Sequence, residues 1–167
     1  MTTNIRVVPT ETQYIDSFHA AVDAVARERR YLAFVEGPPI EGTRAFVRAL
    51  LAGAGVQFLA IDGETVVGWC DIGRGQHEGF RHVGRLGMGL LPDYRGRGLG
   101  RRLGEVAIAA AISAGMERIE LDVFASNETA IALYRRLGFV VEGVKVKSRK
   151  LDDVYDDNVF MALIVGP

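Results

Sequence analysis

From Arg85 to Leu103 the chain reads Arg-Leu-Gly-Met-Gly-Leu-Leu-Pro-Asp-Tyr-Arg-Gly-Arg-Gly-Leu-Gly-Arg-Arg-Leu. Seven of its 20 glycines lie between Gly84 and Gly104. An apolar run reaches Pro92, and a turn punctuated by Gly96, Gly98 and Gly100 then opens a helical pattern. The first amides of a helix lack intrahelical partners and carry the positive end of its dipole. Glycines let a phosphate approach those amides closely. Arg95, Arg97, Arg101 and Arg102 share the turn and can add charge-assisted contacts. The chemistry predicted over residues 95–101 is therefore phosphate or pyrophosphate binding. A dinucleotide fingerprint fails, because its third glycine would fall on Arg101 or Leu103. A P-loop fails too, because no Gly-Lys-Ser/Thr follows. A purely structural glycine turn is the competing reading.

The elements that must hold this turn are legible from periodicity. Residues 5–8 form a short β run ended by Pro9. Thr10 and Thr12 can cap a helix to about Arg30, with Ile15, Phe18, Val22 and Val25 at helical spacing. Gly37-Pro38-Pro39 breaks it, and residues 41–54 read as a second helix. Residues 56–61 and 65–72 are β runs around the hairpin signal Asp62-Gly63-Glu64. Residues 81–91 form another β run, and 98–114 the helix behind the glycine turn. A strand over 118–124, a helix over 127–137, and strands over 140–149 and 158–165 around an Asp-rich turn at 151–157 complete the chain. The order β-α-α-β-β-β-α-β-α-β-β predicts an α/β fold with a mixed sheet and no internal domain boundary, one domain over residues 1–167.

Composition removes other classes. The chain has 167 residues, 49% apolar and 25% charged, with a net charge of −1. That excludes intrinsic disorder and gives no nucleic-acid footprint. A single cysteine, Cys70, excludes a disulfide framework and reads as a reduced intracellular, cytoplasmic chain. No apolar run approaches the length of a membrane span, and the first residues lack the apolar core of a signal peptide. His19, His77 and His82 are isolated, so no metal site is expected.

Arg95-x-x-Gly98-x-Gly100 resembles the R/Q-x-x-G-x-G/A signature of the GNAT superfamily of acyl-CoA-dependent N-acetyltransferases. The later stretch Asn127-Glu-Thr-Ala130-Ile-Ala-Leu-Tyr134-Arg-Arg-Leu-Gly138-Phe139 is similar to that family's N-x-x-A-x-x-x-Y-x-x-x-G-F segment, in the right order and spacing. The resemblance covers essentially the whole chain and is sharpest from Gly84 to Phe139. It looks closest to bacterial members acting on amino acids or other small amines. It implies a mostly antiparallel twisted sheet of six to seven strands, splayed at the cofactor site, with about four helices.

It also implies acetyl-CoA as co-substrate, held by Met88, Gly89 and Leu90 of the strand, by Arg95, Gly96, Arg97, Gly98, Leu99, Gly100 and Arg101 of the turn, and by Asn127, Ala130 and Tyr134. Read alone, Asn127 is a helix N-cap and Tyr134 a packed aromatic whose hydroxyl finds a partner. Under the resemblance, Tyr134 protonates the departing thiolate. A primary amine, on a small molecule such as an amino acid, would attack the thioester directly. A protein N-terminus or lysine is the rival acceptor, and a non-catalytic acyl-CoA-binding regulatory module the rival class. Many relatives place a Glu on the strand before the turn, at a position counted here as Gly84. His82, two residues earlier, is the candidate base, with Glu120, Asp122 or ordered water behind it. Asp152, Asp153, Asp156 and Asp157 read as a solvated turn rather than a lure for a cationic amine, Trp69 and Phe34 as core rather than acceptor-pocket lining, and homodimerisation as a family expectation.

Overall fold

The computed structural model of the chain describes residues 4–165. In chain order its elements are β1 (Arg6–Pro9), α1 (Ile15–Arg27), α2 (Ile40–Ala49), β2 (Gly55–Asp62), β3 (Thr65–Arg74), β4 (Val83–Leu90), α3 (Leu99–Ser113), β5 (Arg118–Phe124), α4 (Glu128–Arg136), β6 (Val140–Leu151) and β7 (Val154–Ile164). One sheet of seven strands has the order β1-β2-β3-β4-β5-β7-β6. Every neighbouring pair is antiparallel except β4 and β5. The expected α/β architecture with four helices is present.

Alternation along the strands sends apolar residues to both faces, which is what a sheet covered on two sides requires. Cys70, Ile72, Leu86, Ile119, Leu121 and Met161 pack toward α3 and α4, with Leu103, Ala107 and Tyr134. Leu59, Ile61, Val66 and Trp69 pack toward α1, against Phe18 and Val22. Trp69 is core, as expected, whereas Phe34 is 45% exposed.

Boundaries differ in instructive places. The first helix is split: Thr12–Tyr14 makes a tight 3-10 turn before α1, and the chain leaves the helix at Glu28. The second helix loosens into a wider turn over Leu50–Ala54, where Gly53 takes φ 100°. The largest correction is the Asp-rich turn. Only Asp152 and Asp153 form it, both with positive φ (52° and 60°), the geometry of a two-residue hairpin. Asp156 and Asp157 lie within β7. Each carboxylate is in use: Asp156 takes Ser126 N and Oγ, and Asp157 takes Lys147 N at 2.7 Å where β6 bulges. Asp153 pairs with Lys150 at 3.3 Å, and Asp152 with Arg29 at 2.7 Å. The tip of the β6–β7 hairpin is thereby tied to the loop after α1. Arg149 reinforces the tie by donating to the carbonyls of Arg29 and Arg30.

Among the described residues no helix is long and apolar enough to cross a membrane.

Candidate active site

The site begins where β4 and β5 part. Their parallel pairing runs from Val83 with Arg118 to Arg85 with Glu120 and stops. β4 continues to Leu90, still paired to β3 through Gly68–Leu90. β5 continues to Phe124, still paired to β7. Between them, residues 86–90 offer one free strand edge to whatever enters the gap. An unpaired backbone edge inside a sheet demands hydrogen-bond partners.

The glycine turn stands at the end of that edge. Gly96 and Gly98 take φ 71° and 77°, and nothing lies within 4 Å of a Cβ built on either. Here glycine serves backbone conformation rather than space. Gly98 is the left-handed residue that opens α3. The first intrahelical bond runs from Arg102 N to Gly98 O at 3.2 Å. None of the amides from Gly96 to Arg101 has a protein acceptor among the described residues. Six amides without protein acceptors at the entry to α3 offer an anion seat. Tyr94 steadies the turn by donating to Asp62 at 2.7 Å, with the Arg97 guanidinium 5.6 Å over its ring.

Arg95 does not join the seat. Its guanidinium donates twice to Glu28, at 2.6 and 2.9 Å. It also donates to Leu90 O at 2.8 and 3.0 Å and lies 4.8 Å over the Tyr31 ring. It clamps the C-terminal end of α1 to the last residue of β4. Arg101 pairs with Glu105 at 2.7 Å, while Arg97 and Arg102 have no ion-pair partner among the described residues.

α4 supplies the rest. Asn127 Oδ1 accepts from Ala130 N at 3.2 Å, the expected N-cap. Gly100 and Gly104 let α4 lie hard against α3: added Cβ atoms would meet Leu133 Cδ2 at 2.9 Å and Leu137 Cδ1 at 2.6 Å. That close approach accounts for Gly104, which sequence patterning left without a role. It also places Tyr134, 7% exposed and edge-on to Phe139, beside the gap. Burial foremost, then Cys70, Asp122 and Asp71, push its phenol well above the usual value. Met88 touches α3 from below and packs into the same core as Leu90.

The expected bases fare differently. Gly84 faces the α3 side, where a Cβ would meet Ile72 Cγ2 at 2.5 Å and Met116 Sδ at 2.6 Å. A carboxylate there would be buried in core, so the position counted for it is not on the gap's open face. His82 is exposed, before β4 begins, and lies five residue steps, about 17 Å, along the chain from Gly87. The structure does not bring it to Tyr134. The residue missed from sequence is Asp71 of β3, beside Gly87. Burial pushes its carboxyl up to about 7 against the pull of the Gln57 amide. Its signal was a lone carboxylate inside an otherwise apolar strand.

The free edge, the six amides and the capped α4 fit a thioester carrying a pantetheine arm and a pyrophosphate. The family model described as acetyltransferase (GNAT) family matches residues 20–139. Mycothiol acetyltransferase of Geodermatophilus obscurus is 36% identical over 96 residues, 56% of this chain and 31% of that protein. The ribosomal protein bS18-alanine N-acetyltransferase of Escherichia coli is 40% identical over 75 residues, 45% of this chain and 51% of that protein. The matched segments thus span about a third to a half of these curated relatives. A GNAT-family acetyltransferase structure from Streptococcus pneumoniae superposes with a TM-score of 0.90 at 24% identity, covering 97% of this chain and 100% of that one. A putative acetyltransferase of Salmonella typhimurium, solved with its cofactor acetyl-CoA, gives 0.89 at 18% identity, covering 98% and 95%.

Proposed function

The chain belongs to the GNAT acetyltransferase family, and on that footing we propose that it moves an acetyl group from acetyl-CoA to a primary amine of a small molecule such as an amino acid. The observation that carries the reading is the adjacency of three features: a strand edge left unpaired at residues 86–90, six amides without acceptors at 96–101, and the buried Tyr134 beside the gap.

Bound acetyl-CoA supplies a thioester carbonyl and a thiolate leaving group. The amides of residues 96–101 hold its pyrophosphate, with Arg97, Arg101 and Arg102 near by. The backbone of Met88, Gly89 and Leu90 pairs with the pantetheine arm, and one of those amides polarises the carbonyl. Asn127 and Ala130 flank the arm from α4. Tyr134 keeps its proton at neutral pH, since its phenol is raised, and its hydroxyl is the donor the departing sulfur meets. A thiolate of pKa ~8.5 needs little more. Alignment of two reactants in one gap supplies much of the rate.

The bonds from Arg29 to Asp152 hold the tip of the β6–β7 hairpin against the α1 loop. Curated relatives include one named for a small molecule and one for a ribosomal protein alanine. The test is an acceptor screen with acetyl-CoA, reading free thiol release across amino acids, polyamines, aminoglycosides and peptides. Turnover of amino acids or other small amines is expected. Turnover confined to peptides would move the acceptor to a protein N-terminus or lysine. Acetyl-CoA binding without turnover of any amine would leave a regulatory binding module.

A further inference from the structure

Three carboxylates rise from the central strands on the sheet face opposite the α3 core, alternating with Cys70, Ile72, Ile119, Leu121 and Val123: Asp71, Glu120 and Asp122. Two are engaged. Glu120 takes Arg118 Nε at 3.0 Å. Asp122 takes the Arg85 guanidinium and, at 2.8 Å, Asn158 Nδ2. Asp71 has no cationic partner among the described residues, and its one protein donor is Gln57 Nε2, at 3.5 Å. Gln57 is 4% exposed, and its Oε1 is buried with no partner.

Register sets these groups in one row across the sheet. Gln57 stands beside Asp71, and Asp71 beside Gly87. Had the pairing of Arg85 with Glu120 continued two residues, Gly87 would stand beside Asp122. Gly87 has no side chain, and a Cβ on it would lie 3.2 Å from Asp71 Oδ1. The carboxylate therefore leans over a bare stretch of β4 at the rim of the gap. Tyr134 stands at the same gap from the α4 side.

We propose that Asp71 takes the proton from the acceptor amine, which is seated over Gly87 at the mouth of the β4–β5 gap. This rests on the acetyl-transfer reading and names the base within it. An entering ammonium gives one proton to the Asp71 carboxylate, leaving a neutral amine and a carboxylic acid. The nitrogen lone pair then forms the bond to the acetyl carbon, and the carbon–sulfur bond breaks with its pair on sulfur. The second proton leaves the nitrogen and reaches sulfur through the Tyr134 hydroxyl. Asp71 returns its proton to water.

The surroundings suit that task. Around Asp71 stand Gln57 from β2, Cys70 on its own strand, Arg85 from β4, Asp122 from β5 and Tyr134 from α4. Cys70 and Tyr134 stay neutral, both raised by burial, and Arg85 is occupied by Asp122. α1 meets β3 through apolar side chains, Phe18 on Trp69 among them. A carboxyl near 7 lies within roughly one unit of an α-amino group (~7.7–8.0) and more than three below a lysine-type amine (~10.4). An α-amine is therefore the first acceptor to test.

The experiment joins a titration to kinetics. Carboxyl 13C resonances of Asp-labelled protein are followed against pH in the wild type and in Asp71→Asn. One resonance titrating near 7 and lost in the variant is expected; an Asp71 titrating in the ordinary range near ~3.9 overturns the proposal. In kcat/KM with α-amines, Asp71→Asn should fall about 10²–10⁴-fold and lose the acidic limb, while acetyl-CoA still raises its melting temperature. Gln57→Leu should move the limb to higher pH, because it removes the bond that holds Asp71 down. An unchanged limb in Asp71→Asn overturns the base and leaves acetyl transfer standing. A wild type that turns over no amine overturns both.

Discussion

Replacement of Arg95 by Ala separates two jobs that the sequence pattern merges. As a phosphate ligand, Arg95 would contribute a charge-assisted hydrogen bond of about 1.5–3 kcal/mol, so its loss would weaken acetyl-CoA binding roughly 10- to 150-fold. As a clamp, it holds Glu28 and Leu90 O with four hydrogen bonds at 2.6–3.0 Å. The pair is partly shielded, at 31% and 23% side-chain exposure. It therefore lies between the ~0–1 kcal/mol of an exposed pair and the ~3–5 kcal/mol lost on breaking a buried one. A loss of about 2 kcal/mol follows, which in a domain of this size lowers the melting temperature by roughly 4–8 °C. Glu28→Gln should lose a similar amount, and the double variant should fall short of the sum, because both report one contact. The assay is thermal denaturation beside acetyl-CoA affinity by calorimetry. The clamp predicts a lower melting temperature with affinity changed by less than about threefold, well under the loss of one charged hydrogen bond. An unchanged melting temperature with affinity down tenfold or more would refute the reasoning.

Saturating acetyl-CoA, at a hundred times its dissociation constant, should stabilise the chain by about 2.7 kcal/mol, or roughly 5–10 °C; no shift would remove the cofactor site. Tyr134→Phe should lower kcat by about 10- to 100-fold, at or under the low end of general-acid effects because a thiolate leaves readily, with acetyl-CoA affinity kept; unchanged kcat would remove the donor role. His82→Ala separates the two candidate bases: the acidic limb stays where Asp71 sets it, and a lost limb would return the role to His82. Asp71 also carries a stability signature. Its folded value of about 7 lies above the ordinary 3.8, so the folded state binds the extra proton. The stabilisation is present below pH ~4 and is lost as pH rises toward 7. Asp71→Asn should therefore exceed the wild type in urea melts at pH 8, by about 2 kcal/mol and at most about 4. The gap should close by pH 4, and a gap independent of pH would show that Asp71 is not held up by burial.

The half of the site that lies close in sequence was legible; the half assembled from afar was not. Gly96 and Gly98 declare a helix entrance by type and spacing, and Asn127 declares a cap, because both are local backbone effects, whereas the packing of Gly100 against Leu133 is not local. The clamp made by Arg95 was hidden because its partner, Glu28, lies 67 residues away. Gly84 misled by parity. Successive strand residues face opposite sides, so one step in the count moves a side chain from cleft to core. Asp71 carried only the weak local mark of a lone carboxylate in an apolar run; its significance comes from Gln57 and Gly87 on neighbouring strands. The Asp-rich turn looked solvated because its partners, Arg29, Ser126 and Lys147, are supplied only by the folded chain.

The tie between Arg29 and Asp152 spans 123 residues, and it joins the two ends of the chain across the piece that carries the glycine turn. Everything assigned to the cofactor lies in one uninterrupted piece, from β4 to α4. The α1 loop and the β6–β7 hairpin, from opposite ends of the chain, are fastened to each other outside that piece. Substitutions in those outer pieces can re-tailor which amine enters without disturbing the thioester's berth. Exchange of the α1 loop and the hairpin together, as a matched pair, is then the graft that would carry acceptor preference from one such enzyme to another, whereas either piece moved alone would arrive without its fastening.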